Sequence, residues 1–170
     1  MKMKTRILIF LLMLFLINET ISGQEKADTI NRTKFKHALG FGAGFTTGYG
    51  LSYRFIPDKF GVQANFAPYL DKYRASVSFG ITFLYKLIET KNVNLFLYQG
   101  NHFYYHKEKY LDSYPNDSYQ VDKYFNDGLG IGIEFIILKR LSFNLMGGYA
   151  GLENFNRISF TGETGLYYKF

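Results

Sequence analysis

Apolar residues alternate with small or polar ones along most of this chain. In "FKHALGFGAGF", Leu39, Phe41, Ala43 and Phe45 alternate with Gly40, Gly42 and Gly44. "GYGLSYRFI" sets Tyr49, Leu51, Tyr53 and Phe55 against Gly50, Ser52 and Arg54. "FGVQANFAP" sets Phe60, Val62, Ala64 and Phe66 against Gly61, Gln63 and Asn65. "RASVSFGITFLYKL" sets Ala75, Val77, Phe79, Ile81, Phe83 and Tyr85 against Ser76, Ser78, Gly80 and Thr82. Alternation of this length predicts strands with one apolar and one small or polar face.

The second half repeats the pattern. "GLGIGIEFI" opposes Leu129, Ile131, Ile133 and Phe135 to Gly130, Gly132 and Glu134. "LSFNLMGGYA" opposes Leu141, Phe143 and Leu145 to Ser142, Asn144 and Met146. "ISFTGETGLYYKF" opposes Ile158, Phe160, Leu166, Tyr168 and Phe170 to Ser159, Thr161, Glu163 and Lys169. "VNLFLYQGNHFYY" also reads as a strand, but both of its faces carry bulk and its inward face stays open. The total is about eight strands, the number in the smallest closed membrane barrels.

The connections alternate in kind. Short turns fall at Pro57, Asp58 and Lys59, at residues 89–92, and at Lys139 and Arg140, where the lack of Gly or Asn predicts a wider turn. The other side holds residues 46–48, 71–74, 107–123 and 154–157, of which 107–123 is long. Short turns on one side and a longer loop on the other are the outer-membrane pattern.

Two architectures can use such strands. A soluble sandwich wets one face of each sheet, and a water-facing surface carries about a quarter to a third charged residues. Here the alternate face is Gly, Ser, Thr, Asn and Gln, with the charges gathered at the turns. A narrow lumen inside a lipid-facing wall accounts for that distribution. The expected fold is all-β: a closed antiparallel up-and-down transmembrane β-barrel following an N-terminal signal peptide.

Residues 1–23 carry Lys2, Lys4 and Arg6, an apolar run from Ile7 to Ile17, and then Ser22 and Gly23, the order of a secretory signal peptide. Cleavage is expected before Gln24, leaving a short periplasmic tail at 24–33 and a barrel domain at 34–170. The leader accounts for three basic residues and Glu19, so the net charge falls from +6 to +4 over the 147 residues that remain. That balance is mild and dispersed, unlike a nucleic-acid footprint. Cys and Trp are both 0, against 15 Tyr and 18 Phe, so no disulfide holds this domain together.

The chain closes on "ETGLYYKF". Glu163, Gly165, Tyr168 and Phe170 resemble, place for place, the C-terminal assembly signal of bacterial outer-membrane proteins. The remainder resembles the small OmpA/OmpX-like barrels, and most of all the uncharacterised porin-like outer-membrane β-barrel domain proteins. The resemblance implies the outer-membrane bilayer and the barrel assembly machinery as partners. In an even-stranded barrel both termini lie on the short-turn side, the periplasm. A monomer is expected, with no nucleic-acid partner.

Candidate chemistry is sparse. Arg54, Glu134 and Lys86 are expected to pair inside the lumen, where a lone charge is costly. Gln63, Asn65, Asn144 and Met146 are available to fill the bore, which in eight-stranded barrels is only wide enough for side chains. His102 and His106 share one strand parity but have no adjacent Ser, and together with His37 read as surface or interface histidines. No catalytic group, metal site or cofactor is expected. Tyr110, Tyr114 and Tyr119, in the segment richest in Tyr, form a candidate recognition loop, because Tyr offers large, rigid contact area. Lys107, Lys109 and Lys123 suit the phosphates of outer-leaflet lipid. The expected function is structural or adhesive and non-enzymatic. The alternatives are a small-solute channel and, less favoured, a lipid A-modifying enzyme.

Overall fold

A computed structural model describes residues 35–110 and 118–170. The expected leader and periplasmic tail, together with Tyr114, lie outside the described residues. The regular elements are eight strands: β1 His37–Gly44, β2 Gly50–Phe55, β3 Phe60–Leu70, β4 Arg74–Glu89, β5 Val93–Tyr110, β6 Ser118–Ile136, β7 Leu141–Leu152 and β8 Arg157–Lys169. Each pairs antiparallel with its neighbours in sequence, and β8 returns to β1, so the sheet is a closed up-and-down barrel. Closure leaves neither terminal strand with an unpaired edge. The Phe170 amide donates to the His37 carbonyl at 2.9 Å, and the His37 amide donates back to Phe170.

The alternation reads out as inside and outside. Phe41, Leu51, Leu129, Ile131, Leu145 and Leu166 are exposed on the outer wall, while Ser52, Asn65, Ser78, Thr82, Ser142 and Asn144 have no exposure at all. The strand whose inward face stayed open turns Asn94, Phe96, Tyr98, Gly100 and His102 into the barrel. Leu84, Met146, Phe96, Tyr98 and Tyr167 are buried apolar bulk in a lumen lined elsewhere mainly by small and polar groups. Phe96 and Tyr98 fill space over glycines: a Cβ on Gly132 would meet the Phe96 ring at 2.3 Å, and one on Gly130 would meet the Tyr98 ring at 2.7 Å.

Two expectations about the connections need correction. The segment 107–123 is mostly not a loop, because β5 continues to Tyr110 and β6 begins at Ser118, paired residue for residue. Its apolar alternation is lost where β6 extends beyond the strand that flanks it on its other side. β4 accompanies β5 to the pair Arg74–Glu108, close to its end, whereas β7 pairs with β6 only from Asp127 downward. The second correction is the connection at 46–48, which does not project outward. It folds into the lumen, and Thr46 and Thr47 are 0% and 1% exposed. The turn after Ile136 is wider than two residues, as expected, and is closed by reciprocal amide bonds between Leu138 and Leu141.

Candidate functional site

The inward loop, residues 45–49, is the centre of the lumen. Gly48 (φ +75°) and Gly50 (φ +110°) supply the left-handed backbone that lets the chain dive in and return. Its bed is glycine: a Cβ on Gly80 would lie 1.8 Å from the Thr47 carbonyl oxygen, and one on Gly100 would lie 2.8 Å from that of Thr46. Buried backbone polar groups need partners, and lumen side chains provide them. The Phe45 carbonyl accepts from His102 Nδ1 and from Asn126 Nδ2, both at 2.9 Å. The Gly48 carbonyl accepts from Asn65 Nδ2 at 3.1 Å, and the Tyr49 amide donates to Ser78 Oγ at 3.2 Å.

Glu163 holds the two threonines. Its carboxylate accepts from the Thr46 hydroxyl at 2.6 Å, the Thr47 hydroxyl at 2.9 Å and the Thr161 hydroxyl at 2.8 Å. The amides of Thr46 and Thr47 also point to it, at 3.2 and 3.4 Å. Hydroxyls and amides here replace a cationic partner, a charge-assisted arrangement stronger than neutral bonding. Of the four C-terminal positions, Glu163 and Gly165 therefore face the lumen, whereas Tyr168 and Phe170 face outward.

Below the loop lies a second polar layer. Ser52 Oγ bonds Asn65 Oδ1 and lies 3.0 Å from the Tyr167 hydroxyl. The Arg54 guanidinium stacks over the Tyr167 ring at 3.9 Å and donates to Gln63 Oε1 at 2.6 Å. Arg54 also meets Glu134 at 3.3 Å, with side-chain exposures of 3% and 5%. The second cation on Glu134 is Lys169, at 2.8 Å, and Asn94 and Ser142 donate to the same carboxylate. Lys86, expected in this cluster, lines a cavity together with Arg54 and Glu134, but its ammonium pairs with Glu89 at 3.0 Å. Lys169 has inward parity on the last strand, and the β6–β7–β8 register places it at the level of Glu134.

Of the histidines, expected at the surface or an interface, His102 departs from expectation. His102 is 4% exposed and its Nε2 lies 2.9 Å from Ser78 Oγ, so a Ser–His pair exists across β4 and β5 although no Ser adjoins the His in sequence. With Nδ1–H committed to the Phe45 carbonyl, Nε2 accepts from the Ser78 hydroxyl. Ser78 has no exposure and already accepts the Tyr49 amide, so the pair clamps the loop. His37 stacks on Phe55 at 5.0 Å, near the end of the ring closure. His106 stacks on Tyr104, which in turn stacks on Tyr124 at 4.8 Å.

Two cavities among the described residues adjoin these layers. An inner one of about 60 Å³ sits against Arg54, Glu134 and Lys169. An outer cup of about 560 Å³ is lined by Tyr49, His102, Tyr104, Tyr124 and Asn126, with Phe45 of the inward loop. Between them Gln63, Asn65, Tyr98, Thr161 and Tyr167 are at most 1% exposed, so these described residues separate the two. Of the expected recognition tyrosines, Tyr119 is exposed on β6 and Tyr110 ends β5. Lys107 lies over the Tyr119 ring at 4.2 Å.

No family model and no curated protein matches the chain. Among solved structures, the N-terminal β-barrel domain of Pseudomonas aeruginosa OprF is similar at 15% identity and a TM-score of 0.48, covering 79% of this chain and 95% of that one. Neisserial surface protein A is similar at 12% identity and a TM-score of 0.46, covering 79% and 94%. Ail, the attachment invasion locus protein of Yersinia pestis, is similar at 15% identity and a TM-score of 0.43, covering 79% and 96%. The closed ring described above rests on its own strand register and takes nothing from likenesses at this level.

Proposed function

We propose that this chain is a monomeric integral barrel of the bacterial outer membrane, with a structural or surface-recognition role rather than transport or catalysis. The observation that carries this reading is the inverted wall: an apolar exterior around a polar interior that side chains and the inward loop fill. An exterior of that kind in water would be one continuous apolar patch far beyond what a soluble monomer tolerates. In a bilayer it is the lipid-facing band of a small barrel. The leader at 1–23 would direct export. Glu163, Gly165, Tyr168 and Phe170 would be read by the barrel assembly machinery, and both termini would lie in the periplasm.

The filled lumen argues against a solute channel. The burial of Ser78 argues against an acyl-transfer or hydrolytic role for the Ser78–His102 pair. What remains presented outward is the β5–β6 hairpin with Tyr105 and Tyr119, beside the tyrosine-lined cup. The test is fractionation of cells followed by external trypsin. The protein is expected in the outer-membrane fraction, with heat-modifiable mobility, and with cleavage near Lys107, Lys109 or Lys123 in intact cells. Recovery as a soluble periplasmic protein, or cleavage only after the outer membrane is permeabilised, would overturn the reading.

A further inference from the structure

The outer wall carries one polar cluster that the barrel does not need. Gln99 and Asn101 of β5 and Asp127 of β6 have outward parity, alternating with the inward Tyr98, Gly100, His102, Asn126 and Gly128. Gln99 Nε2 donates to Asp127 Oδ1 at 2.7 Å and to Asn101 Oδ1 at 2.9 Å. Asn101 Nδ2 donates to Gln99 Oε1 at 2.9 Å and to the Ile81 carbonyl at 3.3 Å. Each amide nitrogen has therefore spent both of its protons. What the cluster offers outward is acceptor capacity and one negative charge: Asp127 Oδ2 and the spare lone pairs of the amide oxygens.

Its surroundings specify the partner. The next outward pair above is Phe103 and Phe125, and the next is Tyr105 and Lys123, followed by Lys107 with Val121. Lys123 lies over the Tyr105 ring at 5.6 Å, and Lys107 lies over that of Tyr119. From Lys123 to Asp127 is four residues, about 13 Å along a strand and on the order of 10 Å in depth at ordinary barrel tilt. One strip of wall thus carries cations at headgroup level, an aromatic spacer, and hydrogen-bond acceptors beneath it. An amphiphile that matches it has phosphate above and hydroxyl or amide N–H donors where its acyl chains begin. Ester-linked chains without hydroxyls present only acceptors at that depth and would face the Asp127 carboxylate uncompensated.

We infer that the β5–β6 wall is a binding site for a phosphorylated outer-leaflet glycolipid with hydroxylated or amide-linked acyl chains. Lys107 and Lys123 receive its phosphates, and the Gln99, Asn101 and Asp127 cluster receives its acyl-level donors. The inference rests on the membrane reading above. The test uses native mass spectrometry of the folded barrel in mixed micelles. One lipid is a diphosphorylated glucosamine disaccharide with amide-linked 3-hydroxyacyl chains. The other is cardiolipin, which has two phosphates and ester-linked, unhydroxylated chains. Wild type should retain the glycolipid at least tenfold better. The triple variant Gln99→Leu, Asn101→Leu and Asp127→Leu should fall to the cardiolipin level with heat-modifiable mobility intact, since apolar residues suit a lipid-facing wall. Lys107→Gln with Lys123→Gln should weaken both lipids alike. Undiminished glycolipid retention by the triple variant would overturn the inference while leaving the membrane reading standing. Loss of a dimer species instead of lipid would reassign the strip to a second copy. Failure of wild type to insert into lipid at all would overturn the membrane reading itself.

Discussion

The lumen turns on two carboxylates with opposite solutions to burial. Glu134 is neutralised by Arg54 and Lys169, whereas Glu163 is held by threonine hydroxyls and amides. The second solution ties a loop to the barrel wall: the donors on Thr46 and Thr47 reach Glu163 only while residues 45–49 lie inside. Gly80 tests that arrangement because a methyl group there has no room while the Thr47 carbonyl stays in place. Gly80→Ala should therefore expel the loop. The chain has no native cysteine, so a Thr47→Cys probe can report it with a polar maleimide. Labelling is expected to be slow in the otherwise wild-type barrel and at least tenfold faster with Gly80→Ala. Equal rates would mean that Thr47 is accessible without displacement.

Among the elements, β6 does most to join wall and surface. Below Asp127 it is a wall strand with Leu129, Ile131, Ile133 and Phe135 outward; above it, residues 118–126 pair with β5 alone. The open edge begins at a dedicated cap. Asn154 donates its amide to the Phe125 carbonyl at 2.9 Å and accepts the Phe125 amide on its side-chain oxygen at 3.1 Å. The Glu153 amide donates to Asn126 Oδ1 at 2.8 Å. Glu153, Asn154 and Phe155 all adopt positive φ, near +54°, +62° and +68°. Three successive left-handed residues are unfavourable for side chains other than glycine, and docking on β6 offsets that strain. The lower part of the strand supplies a direct test of the wall. Ile133→Arg should destabilise the barrel in lipid by about 2–4 kcal/mol, the cost of Arg near the midplane. The same change at Leu138, in the β6–β7 turn, should cost less than about 1 kcal/mol, as near an interface. Urea titration of the protein folded into vesicles measures both, and equal costs would mean that Ile133 is not in hydrocarbon.

For the whole molecule, closure and filling are separate achievements. Strand register closes the ring, but eight strands still leave an interior that side chains must occupy. Here the occupation is layered: the Arg54–Glu134–Lys169 network lowest, then Ser52, Asn65 and Tyr167, then the Glu163-bound loop, with the tyrosine-lined cup above. No steady conductance is expected from purified protein in planar bilayers. Reproducible single-channel steps that change with Glu134→Gln or Arg54→Gln would show that water crosses the layers, and would favour a channel.

The wall was legible in the sequence because its cause is local. Strand geometry sends successive side chains to opposite faces, so Leu129, Ile131 and Ile133 announce an apolar face without reference to any other strand. The pairing of Arg54 with Glu134 was also within reach, since both have inward parity and a buried charge requires an opposite one. Three other features depended on which residues the register of the paired strands brings level with each other. His102 and Ser78 are neighbours only through the β4–β5 register. Lys169, not Lys86, reaches Glu134 because the β6–β7–β8 register sets its inward side chain two strands away at the same end of the lumen. The loop at 45–49 reads as an ordinary outer turn until Gly80, Gly100 and Glu163, from three other strands, prove to form its bed and its anchor. Likewise the outward parity of Gln99 and Asn101 was hidden while Tyr98 and Phe103 made both faces of that strand look alike. Alternation along one strand decided inside against outside for most of the wall. Only the ring decided what fills the inside, because lumen contacts join residues far apart in sequence whose alignment is a property of the closed sheet.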